Sequence, residues 1–183
     1  GISLDGDRPA RSPDLDDPGV FAWQPGADEK TGRVTVDARR SKALIGSLLA
    51  GPARLGDVTI APKPNRQDWA AITLTALDGP DFRSPGRILV TATGDAGNVG
   101  MKWRDAARTT IGTDWGKGPS LVEGIPAVVE LPAAAARVKA WPLDEKGQRR
   151  LNAPLKVEPA GEGSKLAIGP EAQTLWYEIE IAR

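Results

Sequence analysis

The side chains best equipped for chemistry in this chain are indoles: six Trp stand against one Tyr and two Phe. A core drawing evenly on aromatic residues would use Phe and Tyr as well. An indole offers a broad π-face that lies flat against the C–H face of a pyranose ring, while its N–H stays polar. Core packing is the alternative use of each one.

Two absences narrow the remaining chemistry. The sequence contains no Cys, which removes disulfides, thiol nucleophiles, Cys zinc sites and iron–sulfur clusters. It contains no His, which removes Ser-His-Asp triads, imidazole acid/base chemistry and His metal ligands. Catalysis would have to rest on carboxylates, Lys, Tyr or Arg, so a non-catalytic role is expected and no cofactor is implied.

Strand alternation sorts the indoles, because successive side chains on a strand face opposite ways. In 137–141 Val138 and Ala140 share one face, and Trp141 points with Arg137 and Lys139. In 175–181 Leu175, Tyr177, Ile179 and Ile181 form the apolar set, leaving Trp176 with Glu178 and Glu180. Trp141 and Trp176 are therefore expected on a solvated face, as a ligand platform or as cover for another domain. Trp115 falls in the glycine-rich stretch Thr113-Asp114-Trp115-Gly116-Lys117-Gly118, where core packing is disfavoured. Trp23, in phase with Phe21, and Trp103, in phase with Val99 and Met101, read as core or core rim. Trp69 is ambiguous.

Sugar recognition also needs polar groups at the ring edge. Near Trp115 these are Asp114 and Lys117; near Trp103, which remains a candidate platform, they are Asn98, Arg104 and Asp105. Ordinary loop duty is the alternative for each. Glu123 and Glu130, with Asp114 nearby, are the carboxylates a glycosidase pair would need, held about 5 Å apart for retention or about 6.5–9.5 Å for inversion. Within Leu-Val-Glu-Gly, Glu123 fits a structural ion pair or backbone contact better. Asp14, Asp16 and Asp17 crowd one turn and offer oxygen ligands to a structural Ca²⁺, an Asx-rich turn being the bland reading.

The elements that must carry these residues read as strands. Short apolar or alternating segments, among them 33–37, 57–60, 70–77, 87–93, 99–103, 121–123, 127–131, 137–143, 155–158, 165–168 and 174–181, recur between turn signals every 8 to 12 positions. Only 41–50 resembles a helix, and its Gly46 counts against one. With 16 Pro and 21 Gly as punctuation, the expected fold is an all-β sandwich, jelly-roll-like, of roughly ten or more short antiparallel strands. Residues 1–20, rich in Asp, Pro, Arg and Gly, read as an extended lead-in or linker, and 21–183 as one β-sandwich module. Lys plus Arg and Asp plus Glu are 24 each. That balance gives no electrostatic reason to expect nucleic acid or an anionic membrane. No run approaches the ~18 apolar residues of a membrane span. Gly1 opens the chain without an initiator Met or a signal pattern, as in a piece of a longer protein.

The order of motifs resembles a known region. Leu77-Asp78-Gly79, Ser84-Pro85-Gly86-Arg87-Ile88-Leu89-Val90-Thr91-Ala92, Asn98-Val99-Gly100-Met101-Lys102-Trp103 and Gly116-Lys117-Gly118-Pro119-Ser120-Leu121-Val122-Glu123-Gly124 follow one another. Upstream stand Phe21-Ala22-Trp23, Gly32-Arg33-Val34-Thr35-Val36-Asp37 and Leu44-Ile45-Gly46. This resembles the β-rich C-terminal region that follows the catalytic barrel in some bacterial cellulase-like glycoside hydrolases. The resemblance implies a β-sandwich covalently attached to the catalytic domain of a polysaccharide-processing enzyme, secreted or periplasmic, and does not identify the sugar. The tryptophans make it a carbohydrate-binding module, with a plant cell-wall-type polysaccharide or oligosaccharide as the expected partner. A structural accessory sandwich without sugar affinity is the alternative. The candidate sugar-binding residues are Trp115, Trp141, Trp103, Trp176, Asp114, Lys117, Asn98 and Arg104.

Overall fold

Alternation of buried and half-exposed residues decides the architecture. In Ala127-Val128-Val129-Glu130-Leu131 the first, third and fifth residues are buried and the other two half-exposed, so one strand face is committed to a core and the other is not. A computed structural model describes residues 20–26, 31–106 and 108–183, and within them thirteen strands form two antiparallel sheets.

The larger sheet contains β1 (Phe21–Gln24), β2 (Arg33–Asp37), β3 (Ser41–Ser47), β6 (Trp69–Ala76), β7 (Gly86–Val99), β8 (Lys117–Gly124), β10 (Val138–Pro142) and β13 (Trp176–Ile181). Its order is β1-β2-β3-β6-β7-β13-β10, and β8 pairs with the far part of β7. The smaller sheet contains β4 (Ala53–Leu55), β5 (Val58–Pro62), β9 (Ala127–Leu131), β11 (Val157–Ala160) and β12 (Gly163–Ile168), in the order β11-β12-β9-β5-β4. The chain passes between the sheets six times, and single-turn 3₁₀ segments at Ala135–Arg137 and Pro170–Ala172 are the helical pieces among the described residues. The all-β sandwich expected from the strand punctuation is the fold.

One aliphatic core joins the two inner faces. Leu44, Ile72, Leu74, Ile88, Val90 and Ile179 of the larger sheet meet Val58, Ile60, Val129, Leu131, Leu166 and Ile168 of the smaller. Fully burying such side chains stabilises by about 1.5–3 kcal/mol each. Phe82 and Tyr177 are the aromatic members. The Tyr177 hydroxyl accepts from the Gly169 N–H at 3.2 Å and donates to the Gly169 carbonyl at 2.9 Å, so its burial leaves no polar atom orphaned. At the edge of the core Lys42, nearly buried, pairs with Asp37 and lies 5.6 Å from the Phe82 ring centroid.

Some elements depart from the sequence reading. Residues 41–47 are strand, not helix: Ala43, Leu44 and Ile45 give both faces apolar character, and a run of that length does not separate the two conformations by periodicity. Gly46 serves β3 instead of breaking a helix. Its φ is +123°, and a Cβ there would lie 2.5 Å from the Gly32 carbonyl oxygen, an approach of β2 to β3 that only glycine permits. The strand expected at 99–103 is absent, because β7 continues unbroken through Gly94 to Val99 and then turns. The lead-in reading of 1–20 lies outside the described residues except for Val20, which is buried and accepts the Asp37 N–H at 2.7 Å.

Tyr177→Phe is expected to cost about 1–3 kcal/mol, since the Gly169 N–H loses its partner in a buried place while the Gly169 carbonyl keeps the Ala172 N–H; urea unfolding of the two proteins reads the difference.

The pH profile of stability follows from the shifted groups. Main-chain N–H groups hold the carboxyls of Asp78 (from Arg87, with its guanidinium), Asp81 (from Ser84) and Asp144 (from Gln148) below the ordinary value. Their contribution is present above the unfolded carboxylate pKa and is lost as pH falls through the lower folded values. Burial pushes the Tyr177 phenol above 10.0, so its contribution is complete below the unfolded value and lost as pH rises through the folded one. With no His or Cys to titrate between, the melting temperature is expected flat from about pH 5 to 9 and lower beyond either edge; thermal scans across pH 2–12 check this.

Candidate functional site

None of the six indoles enters the core. Trp23 is 63% exposed, Trp115 62%, Trp69 and Trp176 41%, Trp103 38%, and Trp141 is half-buried. The reading of Trp23 and Trp103 as core or core rim is corrected by this placement. Trp23 and Phe21 do share a face, but β1 is an edge strand with all four residues exposed. Trp103 lies past the end of β7 in an exposed loop, where strand phase with Val99 and Met101 does not hold.

The outer face of the larger sheet carries Phe21, Trp23, Trp69 and Trp176 among the exposed large apolar side chains. Cross-strand register aligns Trp23, Val34, Ile45, Ala71 and Thr93 in one row, and Phe21, Val36, Ala43, Thr73, Thr91 and Trp176 in the next. The smaller sheet shows the ordinary solvated pattern instead, with Arg54, Thr59, Glu130, Lys165 and Glu158 aligned across its outer face.

Two parts of the larger sheet's face differ. Toward β10 and β13 the protein's own charges cover Trp141, while Trp176 stays exposed. The Arg149 guanidinium stacks 4.3 Å from the Trp141 ring centroid, donates from Nε to Glu178 at 2.7 Å and pairs with Glu180 at 2.6 Å. Trp141 is thus engaged by a cation–π contact, and the sequence candidates Trp141 and Trp176 lie on this part. Toward β1, β2, β3 and β6 the face is open among the described residues. There a groove of about 750 Å³ runs between Trp23 and Trp69 over Val34 and Ile45, with Arg66, Gln67 and Arg108 along it. Three strand spacings separate the two indoles, about 14 Å, so the groove is shaped for an extended ligand.

Asn65 positions one wall. Its side-chain oxygen accepts the N–H groups of Gln67 at 3.3 Å and Trp69 at 3.2 Å, and its Nδ2 donates to the Trp69 carbonyl at 2.7 Å. This Asx turn, with Asp68 at φ +50°, brings Arg66 and Gln67 to the mouth of the groove and starts β6 with Trp69 facing out. Arg33 lines the groove too, but its guanidinium donates to Gln24 at 2.6 Å and to the Gly51 carbonyl at 2.8 Å.

Beyond Thr93 a β-bulge shifts the register, and β7 leaves the sandwich with β8 as a two-stranded arm. Residues 117–122 of β8 are all exposed. Six of the eight sequence candidates gather here: Asn98, Trp103, Arg104, Asp114, Trp115 and Lys117. Asn98 accepts from Ser120 at 2.6 Å and donates to the Trp115 carbonyl at 3.0 Å, so it holds the loop. Lys102 donates its N–H to the Asp114 carbonyl at 3.1 Å, Arg104 donates its own to Thr110 at 2.9 Å, and Lys117 opens β8 opposite Val99. A hollow of about 480 Å³ containing Asp95, Asn98, Trp103 and Glu123 adjoins the groove through Arg66 and Arg108, which line both.

The two carboxylates considered for catalysis lie on different sheets. Glu130 stands opposite Lys165 on β9, whereas Glu123 on β8 accepts the Arg66 N–H at 3.3 Å and Asn65 Nδ2 at 3.5 Å. Among the described residues no cluster of three or more acidic side chains is arranged to hold a metal ion; Asp14, Asp16 and Asp17 lie outside those residues. Likewise no described helix is long and apolar enough to cross a membrane.

Sequence reasoning missed Trp23, Arg66, Gln67 and Arg108 and left Trp69 undecided. Trp69 was legible: it shares phase with Thr73 and Thr75, against the buried set Ala70, Ile72, Leu74 and Ala76. Arg66 and Arg108 carry no local signal, since loops far apart in sequence bring them together. No family model, curated protein or solved structure matches the chain.

Asn65→Ala is expected to cost about 0.5–1.5 kcal/mol, the net worth of a hydrogen bond, because water takes over the exposed main-chain groups of Gln67 and Trp69. Hydrogen exchange should rise over 65–69 while the core strands keep their protection.

Proposed function

We propose that this domain is a non-catalytic glycan-binding module that holds an attached carbohydrate-active enzyme against polysaccharide, and that it binds through the groove between Trp23 and Trp69. The observation that carries the reading is the pair of exposed indoles facing a groove edged by guanidinium and amide groups. Flat π-faces suit the C–H faces of sugar rings, and Arg66, Gln67 and Arg108 suit hydroxyls at the ring edges. The rigid sheet beneath fixes the spacing of the platforms, which limits the ordering cost of binding. Trp103 and Trp115 on the arm would extend the contact, and the resemblance noted for the sequence agrees in kind.

One observation favours a second reading, a structural accessory domain. The apolar rows beneath Phe21 and Trp23 and the exposed Val99, Leu121 and Val122 of the arm would suit a neighbouring protein domain as well.

The two readings separate in one experiment. Calorimetric titration against a panel of soluble polysaccharides is expected to give binding that Trp23→Ala and Trp69→Ala each weaken on the order of tenfold or more, the usual scale for truncating an aromatic anchor. Loss confined to Trp115→Ala would move the platform onto the arm. No affinity for any glycan, together with destabilisation of the parent enzyme when the domain is deleted, would replace the first reading by the second.

A further inference from the structure

We propose that the groove selects an anionic polysaccharide, one carrying carboxylate or sulfate groups, over a neutral one; this rests on the glycan-binding reading above. The charges at the groove are unbalanced although the chain as a whole is neutral. Among the described residues its charged lining consists of Arg33, Arg66 and Arg108, with no Asp or Glu. The Arg33 guanidinium is held by Gln24 and the Gly51 carbonyl, which leaves Arg66 and Arg108 to meet a ligand.

Among the described residues one carboxylate bridges those two cations. Oδ2 of Asp95 lies 3.0 Å from Arg66 Nη2 and 3.4 Å from Arg108 Nη1. Counted with Arg33, the three guanidiniums of the groove lining outnumber the two carboxylates, Asp95 and Glu123, which line the adjoining hollow. Glu123 of that hollow accepts from Asn65 and from the Arg66 main chain, neutral donors that leave its charge in place.

Each guanidinium has five N–H donors in a fixed fork, and in each one a single terminal nitrogen contacts Asp95. The Arg66 side chain is 68% exposed, so its fork is accessible from the groove. A planar carboxylate or a sulfate matches that fork in two parallel hydrogen bonds, which a neutral hydroxyl pair does with half the charge assistance or less. With Trp23 and Trp69 at the flanks, a uronate or sulfated sugar would place its ring on an indole and its acid group toward Arg66 and Arg108.

The test is titration of the intact domain with polygalacturonate and alginate as carboxylated probes, a sulfated galactan as the sulfated probe, and hydroxyethylcellulose and galactomannan as neutral ones. The expected result is preference for an acidic probe, with affinity falling about tenfold between low and high salt as the charges are screened. The carboxylated and sulfated arms identify which acid is read. Arg108→Gln is expected to weaken binding about tenfold and Arg108→Lys less, since Lys keeps the charge without the fork. Arg108 stands on an exposed loop, and unchanged melting temperatures confirm that the variants fold. Arg39→Gln, at the far end of the β2–β3 hairpin, removes the same charge and is expected to leave affinity unchanged. An equal loss with Arg39→Gln would overturn the proposal as general electrostatics. Salt-insensitive binding of neutral glycans alone would overturn it while preserving the glycan-binding reading; no binding at all would remove both.

Discussion

Both edges of a strand need hydrogen-bond partners, and the way β7 meets that requirement organises the molecule. Its first half is paired on both sides, by β6 and by β13, and sends Ile88, Val90 and Ala92 into the core. After the bulge beyond Thr93 the partner becomes β8, and the ribbon runs out of the sandwich. A two-stranded ribbon is marginal in water by itself, so contacts at its root matter. Asp95 in the bulged stretch holds Arg66 from the β5–β6 loop and Arg108 from the loop beyond the arm. The same bulge that releases the arm therefore sets the two cations at the mouth of the groove.

The composition of the core explains where the indoles are. Aliphatic side chains with Phe82 and Tyr177 fill the space between the sheets, and Tyr177 uses its hydroxyl to tie Gly169 to β13. Close-packed interiors tolerate neither surplus volume nor unpaired polar atoms. An indole in such a layer would need both room and a partner for its N–H. Placing all six outside relieves the core of that demand and leaves a surface with more aromatic area than solvation alone would favour.

The fold was largely legible in the sequence because its strands obey period 2. Arg33–Asp37 and Ala127–Leu131 have the bounds that alternation and flanking turns predict. Legibility failed where both faces of a strand are apolar, as in β3, or where a glycine sits inside a strand, as Gly94 does in β7. It failed also for β1 and β4, too short to show a period. The candidate site divides in the same way. Asn98 to Lys117 are neighbours in sequence, so the arm could be found as one cluster. The groove is non-local: Trp23, Arg66 and Arg108 come from three separate stretches, and no spacing rule connects them before the sheet is assembled.

The contrast between the two outer faces bears on which surface meets a partner. On the smaller sheet, Arg54, Glu130, Lys165 and Glu158 alternate in sign across the strands, the pattern of a face selected for water. The larger sheet carries Val, Ile, Ala and Thr in the corresponding rows, and its two ends are treated differently. Arg149, Glu178 and Glu180 surround Trp141 at one end with charges supplied by the chain itself. At the other end Trp23 and Trp69 stand over a half-buried floor of Val34 and Ile45. Arg149 lies over Trp141, with Trp176 exposed beside it, whereas among the described residues no cation is stacked on Trp23 or Trp69. That asymmetry is the strongest ground for placing recognition on the open end, with the arm beside it as an extension of the same surface.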